Sequence, residues 1–188
     1  MRKFIIIGLF LVFAYSNAQT PGFWESKEFS KEVSLFKAKT FLIQDVLKTS
    51  GNSLQFEAIP LAAASSGELT TLLYKCEPQN ADGLILGFYG NYWDSSSGVN
   101  YQGYAFKNLS KDKAYNFLNK IETEIAENQK FLKGNNDNNN IVFEFDDIKV
   151  MIWTTSNSYT LRVYYKGFDS TWEKTSFERS KRRFERKI

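Results

Sequence analysis

The chain has 188 residues, of which 43% are apolar and 16% aromatic, with one cysteine, no histidine and a formal net charge of +3. The missing histidine excludes Ser-His-Asp and Cys-His nucleophiles and histidine-ligated zinc or copper. The single cysteine, Cys76, excludes an intramolecular disulfide and cysteine-cluster metal sites. The sequence also lacks the glycine-rich loops that bind nucleotide phosphates. We therefore expect no cofactor and no metal site.

The first residues have the pattern of a secretory signal peptide. Two basic residues precede an uncharged run over residues 4–15, and small residues follow at positions 16–18. The run is shorter than the ~20 residues that a membrane-spanning helix needs. We predict a signal peptide at residues 1–18 and a single α+β domain at residues 19–188. The mature protein should have no transmembrane segment and should be periplasmic or extracellular.

The first part of the domain is predicted to hold a helix, two strand-like runs and a hairpin. The helix spans residues 26–50, and its apolar residues share spacings of three, four or seven: Phe29, Val33, Phe36, Ile43 and Leu47. Pro60 predicts that the first strand-like run is an edge strand or is bent at this residue, because proline cannot donate to a ladder. Cys76 ends the second, apolar run, so we expect its thiol to be buried. The aromatic stretch GFYGNYWDSSSGVNYQGYAF then predicts a hairpin with strands over 84–93 and 101–107.

The second part of the domain is predicted to begin with a helix over residues 110–132, with Ser110 as its N-cap. Its buried side should hold Ala114, Phe117, Leu118, Ile121, Ile125 and Leu132. A hairpin over residues 141–152 follows, with a two-residue turn at Asp146 and Asp147. This turn places the apolar residues of both strands on one face and sets Glu144 opposite Lys149.

A third strand over residues 159–166 and a basic helix over 171–188 complete the domain, and Phe177, Phe184 and Ile188 line the apolar side of this helix. These elements together predict an α+β fold. We expect a largely antiparallel sheet built from hairpins, with about three helices packed on one face.

Aromatic residues on the strands are the leading candidates for ligand or partner binding. Strand 84–93 is apolar on both faces, so one face must pack on helices and the other must be covered or displayed. The last hairpin likewise has rings beside an arginine, which suits a sugar, a peptide or another protein. Cross-strand aromatic pairs also stabilise sheets without any ligand. The candidate residues are Trp153, Tyr164, Arg162, Trp93 and Tyr101, and we expect Trp93 to be packed and Trp153 and Tyr164 to be displayed.

The C-terminal segment is strongly basic, with seven basic and two acidic residues over 174–188. Such a run is ordinarily a solvated helix face. As a docking face it would suit an acidic protein or an anionic envelope surface, whereas export makes nucleic acid an unexpected partner. The candidate docking residues are Arg179, Arg182, Arg183 and Arg186.

These observations favour an exported, soluble and non-enzymatic binding or accessory module of the bacterial cell envelope, which docks on another envelope protein or a glycan. The alternative is a carboxylate-based hydrolase of envelope or extracellular polysaccharide, which needs two carboxyl groups ~5 to 10 Å apart. Its nominal candidates are Glu57, Glu68, Asp94, Glu144 and Asp146. An enzyme should place two of them in a pocket, whereas a binding module should present an aromatic patch.

Fused to a reporter that is active only outside the cytoplasm, residues 1–20 should export that reporter, because their charge and hydropathy pattern is that of a cleaved signal. N-terminal sequencing of the exported native protein should give a start at or near Gln19. An exported protein that retains Met1 would contradict cleavage.

Overall fold

Antiparallel strands and helices make up the part of the chain that the computed structural model describes, which is residues 22–49, 51, 53–62, 64, 67–94, 96–133, 139–155 and 158–188. The predicted signal peptide, residues 1–18, lies outside these residues. Side chains are described from residue 30 onward, apart from that of Trp93.

The described chain has four α-helices and eight strands, in the order of one helix, four strands, two helices, four strands and one helix. The helices are α1 (Gly22–Phe41), which continues into a π-helical turn (Leu42–Val46), α2 (Lys111–Glu127), α3 (Gln129–Leu132) and α4 (Lys174–Lys187). The strands are β1 (Glu57–Pro60), β2 (Leu69–Cys76), β3 (Ala81–Asp94), β4 (Val99–Ser110), β5 (Asn140–Phe145), β6 (Ile148–Thr155), β7 (Ser158–Tyr165) and β8 (Phe168–Glu173). None of the described helices is long and apolar enough to cross a membrane.

The strands form two antiparallel sheets, in which the strand order follows the chain order. Sheet A has the order β1-β2-β3-β4 and sheet B the order β5-β6-β7-β8. The predicted α+β class, built from hairpins, is confirmed. The strands divide between two sheets rather than one, because hairpin patterning specifies the pairing of neighbouring strands but not whether the next hairpin extends the same sheet. Pro60 ends the edge strand β1, as predicted.

The hairpin of β5 and β6 has the predicted register. Its aligned apolar pairs are Phe145 with Ile148, Phe143 with Val150 and Ile141 with Ile152. On the opposite face the Lys149 Nζ lies 3.1 Å from the Glu144 Oε1. Asp146 takes a positive φ of 51° in the two-residue turn, a conformation that aspartate tolerates better than most residues.

The main core lies between the inner faces of the two sheets and includes α2 and α4. Phe88 of β3 and Tyr165 of β7 bring their ring centroids to 5.6 Å, which joins sheet A directly to sheet B. Phe117 of α2 and Phe145 of β5 approach to 5.4 Å. The predicted apolar sides of both later helices are confirmed, and their buried residues are Ala114, Phe117, Leu118, Ile121, Leu132, Phe177 and Phe184.

A second core covers the other face of sheet A with α1 and its π-helical turn. Cys76 and Ile85 are buried there. Cys76 is 1% exposed, so the predicted burial of the thiol is confirmed. The two cores together cover sheet A on both faces.

The face of α1 that packs on sheet A differs from the apolar face that the sequence spacing marks. Of the predicted face, Phe36 is 66% and Ile43 46% exposed, Leu47 is buried, and the Phe29 side chain lies outside the described residues. The other buried residues of this segment are Ser34, Ala38 and Leu42. Small side chains at a spacing of four let the helix axis come close to the sheet, and this close approach outweighs the larger apolar residues on the neighbouring face.

Strand β8 corrects the predicted start of the C-terminal helix at residue 171. The chain first turns at Lys166 and Gly167, whose φ values of 49° and 81° are those of a two-residue hairpin turn. The segment FDSTWE then alternates, with Ser170 and Trp172 buried, and α4 begins only at Lys174. Trp172 packs edge-on against Phe177 of α4, with ring centroids 5.2 Å apart.

Because Trp172 is fully buried, Trp172→Ala should lower the free energy of unfolding by about 3–5 kcal/mol. Trp172→Phe should cost less, since it keeps a ring and removes an indole N–H that has no hydrogen-bond partner among the described residues. Urea titration measures both changes. Val142→Ala, at a side chain 56% exposed, is the control and should stay within ~0.5 kcal/mol. A loss for Trp172→Ala no larger than this control would contradict the core position of β8.

Candidate functional site

The predicted binding residues lie on two different sheets. Trp153, Arg162 and Tyr164 share the outer face of sheet B, on the side opposite the main core. Trp93 and Tyr101 belong to β3 and β4 of sheet A, at the end near the hairpin tip. Tyr101 is 51% exposed, while the side chain of Trp93 lies outside the described residues. The fold therefore does not bring these five residues into one site.

The outer face of sheet B carries its own charge partners. Arg162 forms an ion pair with Asp169 across β7 and β8, and Lys149 pairs with Glu144. Trp153 and Tyr164 are both partly buried among these neighbours rather than fully displayed. The face is thus a mixed surface whose basic residues are neutralised from within the sheet.

A groove lined by aromatic rings runs along the edge of β4, and sequence reasoning missed it as a site. Its volume is about 390 Å³. We call it the aromatic groove and define it by its lining residues, which are Phe41, Tyr92, Tyr104, Ala105, Phe106, Lys166 and Phe168. They come from α1, β3, β4, β8 and the turn before β8, so no single stretch of sequence encodes them.

The first wall of the aromatic groove is a stack of rings on the outer face of sheet A. Phe41 at the end of α1 stacks on Phe106, with centroids 5.2 Å apart. Phe106 is nearly parallel to Tyr104 at 6.1 Å, and Tyr104 stacks on its cross-strand partner Tyr89 at 4.7 Å. Partial burial raises the pKa of the Tyr104 phenol, which is protonated at neutral pH even at its ordinary value of 10.0.

The second wall lies on the inner side of sheet A, where the β7–β8 turn meets β3. Tyr92 stacks on Phe168 with centroids 5.7 Å apart. Gly167 makes this contact possible, because a Cβ at that residue would lie 2.7 Å from the Tyr92 Cε2. A Cβ at Gly103 would lie 3.5 Å from the Phe168 Cζ, which is an ordinary van der Waals contact. Of these two residues, Gly167 is therefore the one at which glycine sets the position of the wall.

The floor of the aromatic groove is the free edge of β4. Within the described chain, β4 pairs with β3 alone. Lys166 stands at the rim, with its Nζ 5.4 Å from the centre of the Tyr165 ring. No described carboxylate lies within ion-pair distance of Lys166, in contrast to Lys107, which pairs with Asp147. The charge of Lys166 does act on Asp147, whose pKa it helps to lower. The groove thus combines aromatic walls, a strand edge and one lysine that has no direct ion pair among the described residues.

Carboxylates meet in a second depression, of about 400 Å³, where the β5–β6 and β7–β8 turns approach each other. Glu144, Asp146 and Asp147 all line it, so two of the five candidate carboxylates share a cleft. Each is held by a lysine: Glu144 by Lys149 at 3.1 Å, Asp146 by Lys113 at 2.7 Å, and Asp147 by Lys107. The hydrogen bond from Lys107 lowers the pKa of Asp147, whereas a general acid needs a raised one.

The other candidate carboxylates have structural partners or lie apart. Asp94 accepts hydrogen bonds from the Ser96 and Ser97 hydroxyls at 2.7 and 2.8 Å, which lower its pKa and close the hairpin tip. Glu68 accepts the Thr171 N–H at 3.3 Å at the edge of β8. Glu57 is exposed on the edge strand β1. Among the described residues, no three metal-ligating side chains cluster.

The predicted basic residues form an exposed stripe on α4. Arg179, Arg182, Arg183 and Arg186 are all exposed at helical spacings of three, four and seven. None pairs with a described carboxylate, and Arg186 instead donates to the Arg182 carbonyl at 3.3 Å. The neighbouring Lys181, by contrast, is held by Glu122 at 3.0 Å and also by Glu185.

Comparisons of this chain with family models, with curated proteins and with solved structures found no match. The geometry of the surfaces therefore carries the functional proposal.

Asp147→Asn should reduce the loss of stability on acidification, because its lowered pKa marks a pair that stabilises the folded state. The stabilisation is complete above the ordinary carboxyl pKa of 3.8 and disappears as the pH falls through the lower folded-state value. The Asp147 side chain is 55% exposed, so we expect an effect below ~1 kcal/mol. Urea titrations near neutral pH and at a pH of about 3 measure it. Glu144→Gln is the matched control, and an identical acid response in Asp147→Asn and the native chain would contradict the coupling.

Proposed function

We propose that this protein is a non-enzymatic binding module of the bacterial cell envelope, exported by its N-terminal signal, which holds a partner protein or a glycan in the aromatic groove. One observation carries the proposal: five aromatic residues and a lysine line an open groove of about 390 Å³ beside a free strand edge. Rings of this kind supply large contact area with little loss of side-chain entropy on binding.

The partial exposure of the groove supports binding over a purely structural role. Tyr92, on the second wall, is 37% exposed, and its cross-strand partner Tyr101 extends the aromatic surface toward the hairpin tip. A fully structural cluster would gain by burying these rings, because each buried aromatic contributes a few kcal/mol. Clustered, partly exposed rings are characteristic of the centre of protein interfaces and of ligand grooves.

The hydrolase alternative is less well supported by the arrangement of charges. Its best pair, Glu144 and Asp146, lines a depression, but lysines neutralise both carboxylates. A retaining or inverting glycosidase needs one carboxyl group that stays protonated near neutral pH, and this requires burial or a nearby negative charge. Glu144 and Asp146 instead have side chains that are 67% and 38% exposed, each beside a lysine.

Site-specific photo-crosslinking in the producing bacterium tests the proposed site. A photoreactive phenylalanine analogue at residue 101, next to the aromatic groove, should crosslink a distinct partner. The same analogue at residue 115, an exposed tyrosine position on α2, is the matched control and should give no such product. Phe168→Ala should weaken the crosslink at residue 101 at least tenfold, the loss expected for an interface hot spot.

Two outcomes would redirect the proposal. A crosslink that forms from residue 153 but not from residue 101 would move the site to the outer face of sheet B. Hydrolysis of envelope polysaccharide by the purified protein, abolished in the Glu144→Gln/Asp146→Asn double variant, would establish the enzymatic alternative.

A further inference from the structure

The four edge strands of the two sheets are unequally protected. β1 has four residues and ends in Pro60. β8 lies against the segment before β2, where Glu68 accepts the Thr171 N–H at 3.3 Å and the Ser170 hydroxyl at 2.9 Å. β5 has six residues, whereas β4 has twelve. Natural sheets shorten, cover or interrupt their edges because an open edge recruits other strands, so the long edge of β4 stands out.

Only the last part of the β4 edge has a cover. The β5–β6 turn lies beside it, where Asp147 binds Lys107 of β4 and Asp146 binds Lys113 at the start of α2. Residues 99–106, the preceding part, pair with β3 alone within the described chain, and residues 104–106 of this part line the aromatic groove. In an antiparallel sheet every second residue of an edge strand directs its N–H and C=O outward.

The two walls of the groove lie on opposite faces of sheet A, as an added strand requires. Tyr104 and Phe106 are on the outer face of β4, whereas Tyr92 and Phe168 lie on the inner side. Successive side chains of an extended peptide point to opposite faces. Alternate residues of a peptide beside β4 would therefore contact one wall and then the other.

Resting on the proposed function, we propose that the partner is a protein and that an extended segment of it joins β4 as the fifth strand of sheet A. The segment has apolar residues facing the two walls and an acidic residue opposite Lys166. An extended polypeptide supplies N–H and C=O groups at the repeat of the free edge, and a sugar chain does not. Lys166 forms no direct ion pair among the described residues, although its charge also acts on Asp147. Its ammonium group can therefore still pair with an acidic residue of the segment.

A displayed library of random twelve-residue peptides, selected on the folded protein, tests this mode of binding. We expect enrichment of peptides with apolar residues at every second position and an acidic residue near one end. Lys166→Glu should weaken the selected peptides at least tenfold, while Lys133→Glu, at an exposed lysine after α3, should leave their affinity within twofold. No enrichment, or apolar residues at helical spacings of three and four, would overturn the proposal.

Backbone methylation of a selected peptide tests the same contact without any substitution that could affect the folding of the protein. Methylating the amides that face β4 should reduce affinity at least tenfold, and methylating the alternate amides should change it less than threefold, because only the first set bonds to the edge. Equal sensitivity of both sets would exclude strand addition.

The outcomes separate the two proposals. Suppose that a partner crosslinks at residue 101 but that Lys166→Glu leaves its binding unchanged and the selected peptides are insensitive to backbone methylation. This result would support the aromatic groove and overturn strand addition. A crosslink at residue 101 between two copies of this chain would show that the occupant is a second copy, and the partner-protein proposal would be wrong.

Discussion

Sheet A is apolar on both faces, and this constraint determines the arrangement of everything else in the described chain. Leu84, Leu86 and Phe88 point to one side of β3, and Ile85 points to the other. Each face must be covered, because burial of apolar area is the main favourable contribution to folding. Sheet B, α2 and α4 cover the inner face, and α1 covers the outer face.

The two covers also explain why the aromatic stretch of β3 and β4 has mixed roles. Phe88 is fully buried between the sheets, and Tyr104 and Phe106 pack beside the end of α1. Toward the hairpin end the covers become incomplete, so Tyr92 stays partly exposed although it stacks on Phe168, and Tyr101 is exposed. The same alternating strand thus supplies core packing at one end and a candidate ligand surface at the other.

Local pairing could be predicted from the sequence, whereas the packing of distant elements could not. The register of β5 and β6 was predictable because the apolar pairs and the Glu144–Lys149 pair agree on one alignment. The alternation of Ser170 and Trp172 after Gly167 was a usable signal for β8, but the basic helical pattern that follows obscured it. The apolar spacing of α1 predicted burial of Phe36 and Ile43, which are exposed. The prediction failed because the packing of a helix on a sheet, here through Ser34 and Ala38, depends on tertiary structure.

The candidate site shows the same limit more strongly. Phe41, Phe106 and Phe168 reach one groove from positions far apart in the chain, and their approach depends on how sheet B docks on sheet A. The exposed arginine positions of α4 could be predicted, since helical spacing alone places Arg179, Arg182 and Arg186 on one face away from Phe177 and Phe184. A surface formed by one helix or strand can be predicted from the sequence, whereas a groove formed by several elements cannot.

Chain-order pairing within each sheet has a consequence for how the protein is made. Every strand pairs with its neighbour in sequence, so both sheets can form from local contacts, which favours rapid folding of each. The cover of the inner face of sheet A, however, consists largely of residues 140–188. A polypeptide that emerges from the ribosome with its N terminus first completes β1 to β4 before this cover exists. During that interval Leu84, Leu86 and Phe88 are open to aggregation and to capture by chaperones.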